Sequence, residues 1–194
     1  VHMALDCGIT FFDHADVYGF GASEEVFGKI LNLRSDIREK IQLQSKCTLV
    51  RDSFQTLSNN QSRDYIISSC ESSLKRLNTE YLDVFMLHGP DTLVEPEEVA
   101  EAFDLLQAQG KVRFFGVSNH RPLQVELLNK YLNQRLIINQ LQFSVAHTDL
   151  IDASMTMRLR PSANIDRTGG DVLTYTRMNN MTIQAWSPFQ YGFY

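Results

Sequence analysis

The chain has 194 residues, of which 43% are hydrophobic, and this is enough to build one domain with a substantial core. Its formal net charge of -5 argues against a nucleic acid or an anionic membrane as a partner, because either would need a concentrated basic face. No apolar stretch approaches the ~20 residues that span a bilayer, and the first residues do not resemble a signal peptide.

The cysteines and histidines narrow the function classes further. Cys7, Cys47 and Cys70 are odd in number and lack Cys-x-x-Cys spacing, so we expect neither a disulfide framework nor a thiolate zinc site. This cysteine usage predicts a cytoplasmic location. The histidines show no metal-ligand spacing either, so no metal is expected.

Helical and strand-like hydrophobic patterns alternate along the chain. The predicted elements of the first half are the end of a helix at 2–7, a strand at 9–14, a helix at 24–33 capped by Ser23, a strand at 41–47, a polar loop at 51–61, a helix capped by Ser62 and a strand at 82–87. Those of the second half are a helix at 96–109, a strand at 112–117, a helix at 122–132, a strand at 137–143, a long loop at 146–171, a helix at 172–178 and a strand at 182–186.

Strands separated by amphipathic helices predict βαβ units and a parallel sheet. The strands are short and repeatedly end on polar groups, which favours a (β/α)8 TIM barrel of the α/β class over an open doubly wound sheet. A full barrel of this kind usually takes ~250 residues. We therefore expect residues 1–194 to form a single barrel domain with about six βα units, and with its first strand and last βα unit outside this sequence.

Four ionisable side chains stand at strand ends or in the loop that follows. Asp13 ends one strand and Tyr18 follows it in the loop, while Lys46 and His88 end two later strands. Because the carboxyl ends of barrel strands share one face, these four side chains should converge on one pocket.

The expected chemistry of this pocket is proton transfer to or from a carbonyl or alcohol oxygen. A tyrosine with a pKa of ~10 is a poor catalyst at neutral pH unless its anion is stabilised, so we expect Lys46 to lower the pKa of Tyr18. Asp13 would keep the ammonium charged, and His88 would polarise the substrate oxygen or share the proton. Taken alone, Asp13 and Lys46 would equally suit a structural ion pair, and His88 a core histidine.

Six motifs, in the same order along the chain, resemble those of the aldo-keto reductases. They are Phe-Asp-His-Ala-Asp-Val-Tyr-Gly at 12–19, Ser-Lys-Cys at 45–47, Leu-His-Gly-Pro-Asp at 87–91, Gly-Lys-Val-Arg-Phe-Phe-Gly-Val-Ser-Asn at 110–119, Asn-Gln-Leu-Gln-Phe-Ser at 139–144 and Gln-Ala-Trp-Ser-Pro-Phe at 184–189. The family often has Thr or Ser where this chain has His14.

The resemblance implies an NADP(H)-dependent oxidoreductase that reduces aldehydes and ketones to alcohols by hydride transfer, with Tyr18 as general acid. It implies that Asp13, Tyr18, Lys46 and His88 are catalytic. The cofactor-binding residues that it implies are Ser118 and Asn119 at the carboxamide, Gln140 beside them, Trp186 stacked on the nicotinamide and Ser187 at the pyrophosphate.

The residue types agree with this cofactor, because a nicotinamide needs a flat apolar partner and polar groups for its carboxamide. No Gly-x-Gly-x-x-Gly follows a strand, so a Rossmann domain is not expected. The expected partner is a small carbonyl substrate, and the expected assembly is a monomer or a weak oligomer.

Two alternatives remain open at this point. One is an aldolase that forms a Schiff base on Lys46. The other is a non-enzymatic barrel that senses nicotinamide nucleotides or binds a partner, similar to the channel-associated members of the family.

Overall fold

The computed structural model describes residues 1–33, 35–51, 57–155 and 171–192. The strands are β1 (Phe11–Asp13), β2 (Gln42–Cys47), β3 (Leu49–Arg51), β4 (Leu57–Asn59), β5 (Leu82–Leu87), β6 (Val112–Ser118), β7 (Leu136–Gln142) and β8 (Thr182–Trp186). The helices are α1 (His2–Asp6), α2 (Ala22–Leu33), α3 (Arg63–Leu77), α4 (Pro96–Ala108), α5 (Pro122–Asn129), α6 (Asp149–Met155) and α7 (Val172–Met178). Short 3₁₀ turns lie at Tyr18–Gly21, Ser35–Lys40 and Gln190–Gly192.

Six strands form one sheet in the order β1-β2-β5-β6-β7-β8, and all neighbouring pairs are parallel. They are the six strands that the hydrophobic pattern predicts. All residues of β5 are buried, as expected for a parallel strand that is covered on both faces. Within the described residues, β1 and β8 are the edges of this sheet.

The sheet is curled, because side chains from distant strands meet across it. Gln140 Nε2 on β7 lies 3.0 Å from Asp13 Oδ2 on β1, although β2, β5 and β6 separate these strands in the sheet. In a flat sheet, four spacings of ~4.8 Å would hold β1 and β7 about 19 Å apart. The six strands therefore curve into a half-barrel, which agrees with the predicted barrel class.

The larger core lies between the outer face of the sheet and the helices. Phe115 of β6 stacks on Phe103 of α4 with ring centroids 4.0 Å apart, and both side chains are fully buried. On the inner face, Val84, Met86 and Ile138 form a smaller apolar cluster. Because burial of apolar area is the main favourable term in folding, the helix-covered face supplies most of the stability of the half-barrel.

The predicted polar loop at 51–61 is wrong in part. β3 and β4 pair antiparallel with Leu49 opposite Asn59, which makes a hairpin after β2. Each strand has only three residues, too few for an alternating pattern to stand out in the sequence. Residues 52–56, between the two strands, lie outside the described residues.

The predicted loop at 146–171 is also wrong in part, because it contains α6. Thr148, directly before this helix, donates its Oγ1–H to Asp152 Oδ2 at 2.7 Å. The rest of the loop, with Pro161 and the Gly169-Gly170 pair, lies outside the described residues. None of the described helices has the length and apolar character that crossing a membrane requires.

The predicted helix caps differ in detail from the observed helix ends. α2 begins at Ala22, so Ser23 lies inside its first turn and does not cap it. Ser62 does precede α3, but its side chain makes no capping hydrogen bond.

The loop after β1 is held by two hydrogen bonds of Asp16. The backbone N–H of Asp16 donates to the carbonyl oxygen of Lys46 at 3.1 Å, and Ser69 Oγ on α3 donates to Asp16 Oδ2 at 2.7 Å. Asp16 Oδ1 is buried and has no hydrogen-bond partner among the described residues. Burial raises the pKa of Asp16 to about 6. The loop that carries Tyr18 is thus fastened to both β2 and α3.

Replacing Gly28 by Ala is expected to destabilise the fold. A Cβ at Gly28 would lie 2.0 Å from the backbone oxygen of Arg76, so α2 and α3 would have to separate. Overpacking of this kind costs ~1–3 kcal/mol, which exceeds the gain in helix propensity of at most about 1 kcal/mol. Urea denaturation measures the change. Val26→Ala, at an exposed position of α2, is the control, and an unchanged midpoint for Gly28→Ala would contradict the close helix contact.

Replacing Asp16 by Asn is expected to stabilise the protein at neutral pH. The pKa of Asp16 rises on folding from 3.8 to about 6, so the folded state binds the proton more tightly and the ionised carboxylate opposes folding. The stability of Asp16→Asn relative to wild type should increase between about pH 4 and pH 7, by up to ~3 kcal/mol. The asparagine keeps an oxygen that accepts from Ser69.

Urea denaturation at several pH values measures this difference. Asp64→Asn, at an exposed position of α3, is the control for the removal of a surface carboxylate. A constant difference between Asp16→Asn and wild type across this pH range would contradict the raised pKa.

Candidate active site

A cleft of about 470 Å³ opens at the carboxyl ends of the strands, within the size range of small-molecule sites. We call it the strand-end cleft. Its lining residues are Asp13, Tyr18, Leu49, His88, Ser118, Asn119, Gln140, Ala185, Trp186, Ser187 and Pro188. Eight of the nine side chains that the sequence analysis selects line this cleft, and the ninth, Lys46, bonds to Asp13 beneath it.

Asp13 and Lys46 form an ion pair at the base of the cleft. They lie near the ends of the adjacent strands β1 and β2, and Lys46 Nζ donates to Asp13 Oδ1 at 2.5 Å. The lysine side chain is fully buried, whereas 36% of the Asp13 side chain is exposed. Burial lowers the pKa of Lys46, and the adjacent Asp13 carboxylate opposes that shift. The aspartate thus stabilises a positive charge that would otherwise be costly to bury.

Tyr18 lies above this pair in the 3₁₀ turn that follows β1. The ammonium of Lys46 is 5.0 Å from the centre of the tyrosine ring, within the range of a cation–π contact. The rings of Tyr18 and His88 meet edge to face, with centroids 5.6 Å apart. The next residue, Gly19, has φ = 58°, a left-handed conformation that glycine adopts without strain and that turns the chain sharply after Tyr18. The four predicted catalytic side chains are therefore neighbours in space.

The expected lowering of the Tyr18 pKa is wrong. Burial, and then the negative charge of Asp13, raise the pKa of Tyr18 to about 12. The Lys46 ammonium is bonded to Asp13, so its positive charge lies beside a negative one, and the Asp13 charge acts on the phenol in the opposite direction. The phenol consequently stays protonated at neutral pH.

His88 follows β5 and its backbone N–H donates to the carbonyl oxygen of Cys47 at 2.8 Å. Burial, and then the positive charge of Lys46, lower the pKa of His88 to about 4. The imidazole is therefore neutral at physiological pH, so it can donate a hydrogen bond to a substrate oxygen without carrying a positive charge.

Three glutamines surround Asp13, and we call them the glutamine cluster: Gln44, Gln140 and Gln184. Gln44 Nε2 donates to Asp13 Oδ1 at 2.6 Å, and Gln140 Nε2 donates to Asp13 Oδ2 at 3.0 Å. Both nitrogens also donate to Gln184 Oε1, at 2.9 and 3.1 Å. Gln140, predicted to lie beside a nicotinamide carboxamide, thus directs its amide nitrogen at Asp13.

Gln44 and Gln184 are not among the predicted site residues, although the sequence carries a signal for both. Each stands two residues before a predicted site residue on the same strand, Gln44 before Lys46 and Gln184 before Trp186. Because alternate residues of a strand share a face, an uncharged polar residue at that position points into the same barrel interior.

Trp186 forms one wall of the strand-end cleft, and its orientation is set by a hydrogen bond. The indole Nε1–H donates to Asn119 Oδ1 at 2.9 Å, and Asn119 Nδ2 donates to Ser118 Oγ at 3.0 Å. Ser118 Oγ in turn donates to the carbonyl oxygen of Gln140 at 3.1 Å. Asn119 has φ = 61°, a left-handed conformation that asparagine tolerates and that turns its side chain towards the indole.

These residues fit a nicotinamide ring. An indole held at a fixed angle offers a flat apolar face, while Ser118 and Asn119 line the same cleft and present hydroxyl and amide groups at its wall. Ser187, directly after Trp186, also lines the cleft. No cluster of metal-ligating side chains occurs within the described residues.

Comparison with known proteins gives a consistent result. The model of the "Aldo/keto reductase family" matches residues 1–194. An uncharacterized oxidoreductase, YcsN of Bacillus subtilis, is 39% identical over 184 residues, which are 90% of this chain and 61% of the relative.

Two solved structures are similar. The glycerol dehydrogenase AKR11B4 from Gluconobacter oxydans superposes with a TM-score of 0.78 at 27% identity, covering 98% of this chain and 53% of that one. An aldo/keto reductase from Klebsiella pneumoniae in complex with NADP and acetate gives a TM-score of 0.71 at 25% identity, covering 97% and 56%. The chain thus spans between half and two thirds of the length of these proteins. With its sequence matched along its full length, its curled parallel sheet and its strand-end cleft, the chain belongs to the aldo/keto reductase family of oxidoreductases.

Proposed function

We propose that the protein is an NADP(H)-dependent carbonyl reductase, in which Tyr18 gives a proton to the oxygen of an aldehyde or ketone. The observation that carries this proposal is the location of the Tyr18 phenol in a cleft, between the ammonium of Lys46 and the neutral imidazole of His88. A bound reduced nicotinamide would supply the hydride that the carbonyl carbon receives.

The protonation states support the proposed roles. The carbonyl oxygen would accept hydrogen bonds from the Tyr18 hydroxyl and from an N–H of His88, which is neutral because its pKa is lowered to about 4. As negative charge develops on the oxygen, the Tyr18 proton moves to it, because an alkoxide is a stronger base than a phenolate. The phenolate that remains is stabilised by the positive charge of Lys46, 5.0 Å from the ring centre.

The cofactor assignment rests on the cleft walls and on the relatives. Trp186 would stack on the nicotinamide, Ser118 and Asn119 would hold the carboxamide with Gln140 beside them, and Ser187 would contact the pyrophosphate. The choice of NADP(H) is supported by the similar Klebsiella pneumoniae protein, which is in complex with NADP. The unpaired state of Cys7, Cys47 and Cys70 supports a reducing compartment such as the cytoplasm.

The burial and hydrogen bonding of Lys46 disfavour the formation of a Schiff base on this residue. That reaction needs a neutral amine that is free to attack, whereas Lys46 is fully buried and its Nζ is bonded to Asp13 at 2.5 Å. Borohydride treatment with an aldehyde should accordingly leave no adduct on Lys46.

Replacing Tyr18 by Phe should abolish most of the activity of the full-length protein. We expect kcat for the reduction of an aldehyde to fall by ~10²- to 10⁴-fold, the usual contribution of a general acid. The Kd of NADPH, measured by fluorescence titration, should stay within about twofold, because the phenylalanine keeps the ring and loses only the hydroxyl.

Tyr131→Phe, which removes a hydroxyl remote from the strand-end cleft, is the matched control and should keep wild-type kcat. Undiminished turnover in Tyr18→Phe would refute the role of this residue. NADPH binding by the wild type without turnover of any aldehyde would favour the nucleotide-sensing alternative.

The rate of reduction should be nearly constant between about pH 5 and pH 8. The proton donor Tyr18 has its pKa raised to about 12 and stays protonated below it, while His88 has its pKa lowered to about 4 and stays neutral above it. Neither group should therefore change its protonation state in this range. Measurement of kcat at saturating NADPH and aldehyde across this pH range tests the prediction. A pH profile with a midpoint near neutral pH that disappears in Tyr18→Phe or His88→Gln would contradict it.

A further inference from the structure

Gln184 Oε1 accepts two hydrogen bonds, and both donors also bind Asp13. The donors are Gln44 Nε2 at 2.9 Å and Gln140 Nε2 at 3.1 Å. The same two nitrogens lie 2.6 Å from Asp13 Oδ1 and 3.0 Å from Asp13 Oδ2. An amide nitrogen carries two hydrogens, so in each glutamine one hydrogen goes to Asp13 and the other to Gln184.

This arrangement determines which way each amide faces. If either amide turned over, its carbonyl oxygen would face two acceptors, the Asp13 carboxylate and the Gln184 carbonyl. Gln44 is fully buried, and its Oε1 has no partner among the described residues. Leaving a buried acceptor unpaired is unfavourable, so the two bonds of Nε2 must outweigh that loss.

Asp13 therefore receives donors from three directions: Lys46, Gln44 and Gln140. Hydrogen bonds from three directions restrict the rotation of the carboxylate. The Lys46 ammonium is bonded to the carboxylate, so whatever holds Asp13 also determines where the charge beneath the Tyr18 ring lies.

We propose that Gln184 is a positioning residue for the proposed reaction. It orients the amides of Gln44 and Gln140 towards Asp13, which places the Lys46 ammonium beneath Tyr18. The importance of this placement for rate rests on the proposed function, whereas the orientation of the two amides does not depend on it.

Gln184→Met tests this proposal, because methionine has a similar size but offers no carbonyl acceptor. We expect kcat of the full-length protein to fall by about 10- to 100-fold, with the KM values for NADPH and aldehyde changed less than threefold, since only the placement of the charge is altered. The matched control is Gln42→Met, at an exposed position of β2, which should retain wild-type kcat.

A double-mutant cycle separates positioning from general damage to the fold. In a Gln44→Met/Gln140→Met background the amides that Gln184 orients are absent, so the further change Gln184→Met should lower kcat by less than threefold. The same large loss in both backgrounds would overturn the proposal. The proposal would also be overturned if Gln184→Met lowered the urea midpoint and this loss of stability accounted for the whole fall in kcat.

A second measurement does not depend on turnover. In protein labelled with ¹⁵N-glutamine, the side-chain amide signals of Gln44 and Gln140 can be assigned by their absence from the single variants Gln44→Met and Gln140→Met. Their hydrogen exchange should be slow in the wild type and at least about tenfold faster in Gln184→Met, because each amide loses one acceptor. Unchanged exchange in Gln184→Met would overturn the inference even if the enzyme is active. Slow exchange in a wild-type protein that reduces no aldehyde would contradict only the proposed function.

Discussion

The site depends on one ion pair, between the fully buried Lys46 and the partly exposed Asp13. Lys46 is fully buried, and a charge in that position is tolerated only with a partner at short distance and further hydrogen bonds around it. The partner lies 2.5 Å away on the neighbouring strand, and the glutamine cluster supplies the further hydrogen bonds. The other residues of the cleft are arranged around this pair, with Tyr18 above the ammonium and His88 at the edge of the phenol ring.

The curvature of the sheet and the polarity of its interior depend on each other. Asp13 on β1 can bond to Gln140 on β7 only because the intervening strands curve, and these bonds in turn link the two sides of the half-barrel. On β5, Val84 lies opposite Gln44 and Met86 opposite Lys46, and both belong to an apolar cluster with Ile138. Low polarity near the ion pair strengthens its electrostatic effect on Tyr18.

The strands and the convergence of the site side chains could be predicted from the sequence, because a buried parallel strand has a strong apolar pattern and its end is marked by a change to polar residues. The hairpin of β3 and β4 could not, since its strands are too short to show a period. The direction of the Tyr18 pKa shift could not be predicted either, because it depends on how deeply the phenol is buried and on how near the Asp13 carboxylate lies. The interior positions of Gln44 and Gln184 could be predicted from the alternation of side chains along a strand. The hydrogen bond between them could not, because it depends on the curvature of the sheet.

The hydrogen bond from the backbone N–H of Asp16 to the carbonyl oxygen of Lys46 joins the main chains that carry the phenol and the ammonium. The spacing of the two main chains is thus a property of the backbone, while the side-chain bond from Lys46 to Asp13 sets where the ammonium lies within that frame. Leu49, by contrast, stands on the hairpin and forms part of the wall of the same cleft. Substitutions in the hairpin can therefore reshape the wall of the strand-end cleft, while the backbone link between the Tyr18 loop and β2 stays the same.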